Sequence, residues 1–112
     1  MNVTRVTPSV TSHINLGANP SASGQTALVA AVAGIKYRIL AVCVISTLAN
    51  TVKFQSASTD ISATFPLAAS GGMVLPFNEH GWFETSINEA LNINMGTATA
   101  TGVQIQYIKI LA

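Results

Sequence analysis

Two histidines, one cysteine and four carboxylates are the residues of this 112-residue chain from which a catalytic or metal centre would most readily be built. A hydrolase needs a nucleophile, a base and an orienting group that converge. His13 falls in an N-terminal stretch and His80 in a turn, and neither has a serine or cysteine elbow beside it. Cys43 is embedded in an apolar run with no local base, so its thiol is expected to be inert and its role that of a small hydrophobe. Asp60, Glu79, Glu84 and Glu89 are the only carboxylates from which an acid/base pair could be drawn. A divalent cation could take ligands from Glu79, His80 and Glu84, but their spacing follows no metal-ligand pattern, and solvated turns with isolated surface charges are the simpler reading. Gly71-Gly72 lacks the lysine and the helix of a phosphate loop. The residues therefore point to a protein that is not an enzyme, with no catalytic, metal or cofactor-binding residues and no cofactor. Its binding residues are not assigned by the sequence.

One cluster could bind without reacting. Phe77, Trp82 and Phe83 lie close together in a chain that is only 6% aromatic. Beside Asn78 and Glu79 they could stack on a sugar ring. The competing expectation, which the sequence favours, is that Trp82 plugs the end of the hydrophobic core, since a sandwich of this size needs a large residue there.

Composition sets the frame that must position these residues. The length suits one domain able to bury a core without staples. Charged residues are 8%, against roughly a quarter in ordinary soluble domains, while apolar residues are 49%. Such a chain is expected to bury surface against copies of itself or against a partner. The net charge of +1 comes from scattered single charges, which provide no row of cations for phosphates, so nucleic acid is not an expected partner. Ala27 to Ile35 is the longest apolar run and is far short of the ~20 residues of a membrane span, so no membrane is expected either. Met1 to Ser23 has no apolar core of signal type, and the single cysteine cannot form an intrachain disulfide, which suits synthesis in a reducing cytoplasm.

The periodicity reads as strands throughout. Ile39 to Ile45 is apolar at every position, the pattern of a strand covered on both faces. Val52 and Phe54 alternate with Lys53 and Gln55 beyond a turn at Ala49-Asn50, which predicts a central β-hairpin over 36–56. Gln25 to Val32 reads as a strand. Ile61, Ala63 and Phe65 predict another, ended by Pro66; Gly71-Gly72 marks a loop that can change sheets, and Met73 to Leu75 is a brief strand stopped by Pro76. Trp82 to Thr85, then Leu91, Ile93 and Met95, then Val103 to Leu111 complete the series. Asn92, Asn94, Gln104 and Gln106 stand on polar strand faces, either solvated or bonded across strands or an interface. The expectation is an all-β, antiparallel β-sandwich, jelly-roll-like, of eight or nine short strands. Residues 1–23, with Pro8, Pro20 and many hydroxyls, are read as an extended N-terminal arm and 24–112 as a single β-sandwich domain.

Four segments in order, Val52-Lys53-Phe54, Thr59 to Gly72, Val74 to Thr85 and Glu89 to Asn94, resemble small structural proteins of tailed bacteriophages, most closely capsid cement or decoration proteins. What the resemblance implies is a non-enzymatic virion protein that binds the outside of an icosahedral capsid. It would be made in the host bacterial cytoplasm and end on the capsid surface. Its partners would be the major capsid protein of the same virus and further copies of itself, as a homo-oligomer, trimer or dimer, tying neighbouring capsomers together. The alternative is a tail- or fibre-associated sandwich that binds a host-surface glycan, for which exposed aromatics near Trp82 would be the mark.

Overall fold

The computed structural model describes residues 13–111, and these form two antiparallel sheets of five strands each with no helix. The strands in chain order are β1 (Ile14–Ala18), β2 (Gly24–Val29), β3 (Ile35–Ser46), β4 (Asn50–Ser56), β5 (Thr59–Asp60), β6 (Phe65–Leu67), β7 (Gly72–Leu75), β8 (Phe83–Glu84), β9 (Leu91–Met95) and β10 (Thr101–Leu111). The first sheet runs β1-β10-β3-β7, with β8 also on β3; the second runs β2-β9-β4-β5, with β6 also on β4.

β5 and β6 share the same flank of β4, and β7 and β8 share the same partner β3, so the ten segments fill eight strand positions. Pairing then proceeds from the outside inward: β1 with β10, β2 with β9, β3 with β7 and β8, β4 with β5 and β6. This is one long hairpin rolled onto itself, the topology of a jelly roll. The molecule is a jelly-roll β-sandwich.

Rolling corrects the central hairpin. β3 and β4 are consecutive and separated by only Thr47-Leu48-Ala49, yet they lie in opposite sheets. The connection holds no Asn-Gly or Gly-X pair of the kind that brings two strands back into one ladder. Its backbone is instead tied to other loops, Thr47 N–H donating to the Ala100 carbonyl and Ser70 N–H to that of Thr47. The tight hairpin is one step later, β4 to β5, where Ala57 adopts φ 52°.

The strand expected over Ile61 to Phe65 is likewise displaced. β5 ends at Asp60, and Pro66, expected to stop a strand, lies inside β6 opposite Thr51. A proline fits there because β6 pairs on one side only, so the missing N–H is not needed. The chain then changes sheets through Ala68 to Gly71, as the two glycines led one to expect.

Part of the stretch read as an arm is built into the sandwich. Ile14–Ala18 is an edge strand fully in register with Val103 to Tyr107, and Ile14 and Leu16 pack against the core. The rest of the arm, 1–12, lies outside the described residues.

The core sits between the sheets. Ile39, Val42 and Val44 of β3 face Val52 and Phe54 of β4 and Leu91, Ile93 and Met95 of β9, all at most 2% exposed. Each such side chain contributes roughly 1.5–3 kcal/mol by leaving water. Where β3 pairs with β10 the register slips between Gln106 and Tyr107, leaving Leu40 unpaired in a bulge. Leu40 is buried but stands outside the core cluster, beside the 76–82 loop whose Asn78 N–H donates to its carbonyl.

Candidate functional site

The residues singled out for chemistry are not brought together. Asp60 accepts from Gln55 Nε2 at 2.7 Å and Lys53 Nζ at 3.1 Å, and these partners hold its carboxyl below the usual range. Glu84 on β8 is clamped by Lys36 Nζ at 2.7 Å and Arg38 Nε at 2.8 Å. Glu89 accepts from Ser56 Oγ at 2.5 Å. Glu79 and His80 stand exposed, 3.9 Å apart, in the 76–82 loop. Glu84 is thus committed to two cations instead of sharing a ligand set with Glu79 and His80. His13 is also exposed, its ring tilted against Phe77 at 5.6 Å. Among the described residues no three of His, Cys, Asp and Glu are grouped so as to hold a metal ion.

The Glu84 cluster is structural, and it titrates. Hydrogen bonds from Lys36 and then Arg38 lower the Glu84 pKa, outweighing the effect of partial burial. A group with a depressed folded-state pKa adds stability above its unfolded pKa, here about 4.3, and that stability disappears as pH falls through the folded value. Glu84→Gln is therefore expected to lower Tm by a few degrees at pH 7 and to matter progressively less as pH falls through the folded-state value. Thermal melts of the two proteins across pH 2–7 check this.

Trp82 is not the core plug. It is 42% exposed and Phe77 51%, while the indole N–H donates to the Pro76 carbonyl at 2.7 Å and pins the loop. The plug is made by its neighbour: Phe83 stacks on Phe54 at 5.2 Å. Tyr37 and Tyr107 add an edge-to-face pair. Alternation settles this, since only one of two adjacent residues in an extended segment faces inward. Trp82→Ala should accordingly cost no more than about 1 kcal/mol, the worth of an exposed hydrogen bond and partial burial. A thermal melt within a few degrees of the parent is the expected reading.

Gly81 adopts φ 83°, with Arg38 so close that a Cβ would lie 2.4 Å from its Cγ. Asn78 closes the turn from the other side: its side-chain oxygen accepts from His80 N–H and its carbonyl from Gly81 N–H.

The sandwich's two outer faces differ more than any loop. On the β2-β9-β4-β5 sheet, Gln25, Asn94 and Asp60 all bond Gln55, Asn92 and Gln25 donate to the Ala57 carbonyl, and Lys53 pairs with Asp60. Asn92 and Asn94 thus bond across strands. This face satisfies its own polar groups.

The other sheet presents a different surface. On one side of the bulge at Leu40 its outward positions form three cross-strand rows without a charge: Gly102, Ile45 and Gly72; Gly17, Gln104, Cys43 and Val74; Asn15, Gln106 and Ala41. On the other side the same face continues with Ile108, Arg38 and Glu84 and with Ile110 and Lys36, whose charges pair with one another. Ile45 is 56% and Val74 65% exposed, and the side chains of Asn15, Gln104 and Gln106 bond to no other described residue. From Ala41 to Ile45 β3 is therefore covered on one face only among the described residues, although its sequence is apolar on both. Two hollows, of about 260 and 290 Å³, lie on this face on either side of the Gln104–Cys43 row. The fold is a jelly roll with one self-satisfied polar face and one face on which three rows are uncharged and open.

No protein-family model matches the chain, and no curated protein matches it. Among solved structures, a similar chain is that of "Bacillus endospore appendages form a novel family of disulfide-linked pili", with 16% identity, a TM-score of 0.47, and coverage of 99% of this chain and 98% of that one. A likeness of that degree bears on neither function nor partners.

Proposed function

We propose that this protein is a non-enzymatic virion structural subunit that attaches to the outside of a tailed-bacteriophage capsid and stabilises contacts between capsomers. The observation that supports an assembling subunit is the patch of three uncharged rows around Cys43 and Gln104 on the outer face of the β1-β10-β3-β7 sheet. Exposed Ile45 and Val74 and unbonded amides gain from being covered by protein, and desolvating them carries no penalty of buried charge. The capsid as the place of assembly rests on the resemblance of the four segments between Val52 and Asn94. The partner is the major capsid protein of the same virus, and the site of action is the capsid surface. Many modest contacts at symmetric positions would together resist internal pressure.

The test is sedimentation of purified protein with shells of that capsid protein, before and after expansion. Saturable co-sedimentation at a fixed ratio to capsid subunits is expected; folded protein remaining in the supernatant with both shell forms would overturn the reading. A docking role for the N-terminus is tested by deleting 1–12 alone, because a deletion to Ser23 would also remove β1 and the core contacts of Ile14 and Leu16. The shorter deletion should weaken attachment at least tenfold and leave the melt unchanged.

A second reading is favoured by one observation. Phe77 and Trp82 are exposed together, with His13 against Phe77, which is an arrangement on which a sugar ring could stack. In that reading the protein is tail- or fibre-associated and binds a host-surface glycan. Retention on a glycan array, lost in Trp82→Ala with no change in melting, would favour it over the capsid.

A further inference from the structure

The described chain begins over the outer face of the sheet that its first strand belongs to. We propose that the segment preceding His13 crosses this face and seats Val10 in the hollow bordered by Ala41, Gln106 and Pro76, anchoring the N-terminus of the chain on its own sandwich. The inference is independent of the capsid.

The path of the chain points there. β1 lies at one edge of the β1-β10-β3-β7 sheet, with Ile14 opposite Tyr107 and Tyr107 opposite Ile39. Phe77 lies at the far side, just after β7, and the N–H of its neighbour Asn78 donates to the Leu40 carbonyl of β3. Edge and far side are three strand spacings apart, about 14 Å. His13 nevertheless holds its ring 5.6 Å from that of Phe77. The two rings therefore meet above β10 and β3, and the chain enters β1 from over the outer face. The hollow of about 290 Å³ lined by Asn15, Ala41, Gln106 and Pro76 lies beside this contact.

The residues that come before have the matching pattern. In β1, Ile14 and Leu16 pack on the core, whereas Asn15 and Gly17 are exposed. An extended continuation keeps Val10, Pro8 and Val6 on the side of Ile14, toward the sheet being crossed, and Thr11, Ser9 and Thr7 toward solvent. Apolar residues alternating with hydroxyls are the mark of a half-buried extended segment. Residues 6–12 carry no charge, which suits the three uncharged rows; beyond the bulge, Lys36, Arg38 and Glu84 already satisfy one another. Pro8 needs no ladder partner in a segment that lies on a face. Val10 stands three residues before His13, about 10 Å or two strand spacings, which is the distance from Phe77 back over Ala41 and Gln106.

A tethered occupant needs little area. Being joined to β1, the segment is held at a high local concentration, so a hollow the size of a few side chains is enough. Covering one valine gains about as much as ordering three residues costs, so docked and undocked forms exchange and the melt is nearly the same with or without the segment. Ile45 and the hollow on its side of the Gln104–Cys43 row stay open.

Cys43, the only cysteine, borders the same hollow and reports on its occupant. The full chain carrying Val10→Cys is treated in dilute solution with bis-maleimidoethane, without shells. A link between position 10 and Cys43 in a product of monomer mass is expected, forming at least threefold faster than the corresponding link in Val3→Cys, which lies farther along the segment. In a chain with no added cysteine, Val10→Asp should raise the rate of Cys43 alkylation by N-ethylmaleimide at least threefold, because a carboxylate is expelled from an uncharged hollow. Val3→Asp should leave that rate unchanged. Links formed equally fast from positions 3 and 10, links formed only between chains, or an alkylation rate insensitive to Val10→Asp would overturn the proposal. Because no capsid is present, each result is separate from whether the protein binds shells.

Discussion

Replacing Phe54 with alanine is expected to lower stability by about 3–5 kcal/mol, enough to leave much of the protein unfolded at 37 °C. Phe54 is completely buried in the middle of β4, and its ring stacks on Phe83. Phe83 belongs to β8, which has two residues and pairs only with Arg38 and Ile39. A strand that short has little ladder to hold it, so losing its aromatic partner should release β8 as well as open a cavity. The expected thermal melt falls by roughly 15–25 °C, and hydrogen exchange at Phe83 and Glu84 should rise ahead of the rest of the sheet. Trp82→Ala, one residue away, provides the contrast. If the two substitutions destabilised equally, the assignment of inner and outer faces in β8 would be wrong.

Gly72→Ala is expected to be the second most damaging change, at about 1–3 kcal/mol, for a steric reason. Gly72 opens β7 opposite Ile45, and a Cβ there would lie 2.2 Å from the Val44 carbonyl oxygen and 2.9 Å from Ile45 Cγ1. The first of these is backbone in the longest strand of the molecule and cannot rotate away. β7 must therefore shift from β3, loosening the pairs Cys43 with Val74 and Val44 with Met73. Tm should drop by roughly 5–15 °C, with the loss of exchange protection concentrated at Met73 and Val74. An unchanged melt would mean that β7 does not approach β3 this closely.

These two residues also show what was legible in advance. The core side of β4 and β9 could be read directly, because Val52/Phe54 and Leu91/Ile93/Met95 alternate with polar residues and a strand has a period of two. The sandwich class followed from the number and rhythm of such segments. The partner of each strand did not follow: β3 and β4 have the pattern and the short connection of a hairpin, and only the tertiary roll assigns them to opposite sheets. Pro66 misled in the same way, since its compatibility with a strand depends on whether that strand is an edge. Trp82 and Phe83 could not be ordered by size; the direction of a short extended segment decided between them.

The candidate surface was half visible. The apolar pattern of Ile39 to Ile45 promised cover on both sides, and the structure puts the core on one side and leaves Ile45 exposed and Cys43 half-buried on the other. Continuous apolarity in a strand says that both faces need cover without saying that the same molecule provides it. The amides likewise divided in a way that composition could not foretell. Asn92 and Asn94 join a cross-strand network because Gln25, Gln55 and Asp60 lie beside them, whereas Gln104 lies between Gly17 and Cys43, and Gln106 lies between Asn15 and Ala41 without bonding either. One face closes on itself, and the other leaves its amides open.

The most direct test of the proposed role is the heat resistance of expanded capsid shells with and without the protein bound to saturation. Shells carrying it are expected to lose integrity at a temperature several degrees higher than bare shells, with the shift growing with occupancy and levelling off at a fixed ratio to capsid subunits. Saturated shells that disrupt at the same temperature as bare ones would contradict a stabilising role on the capsid.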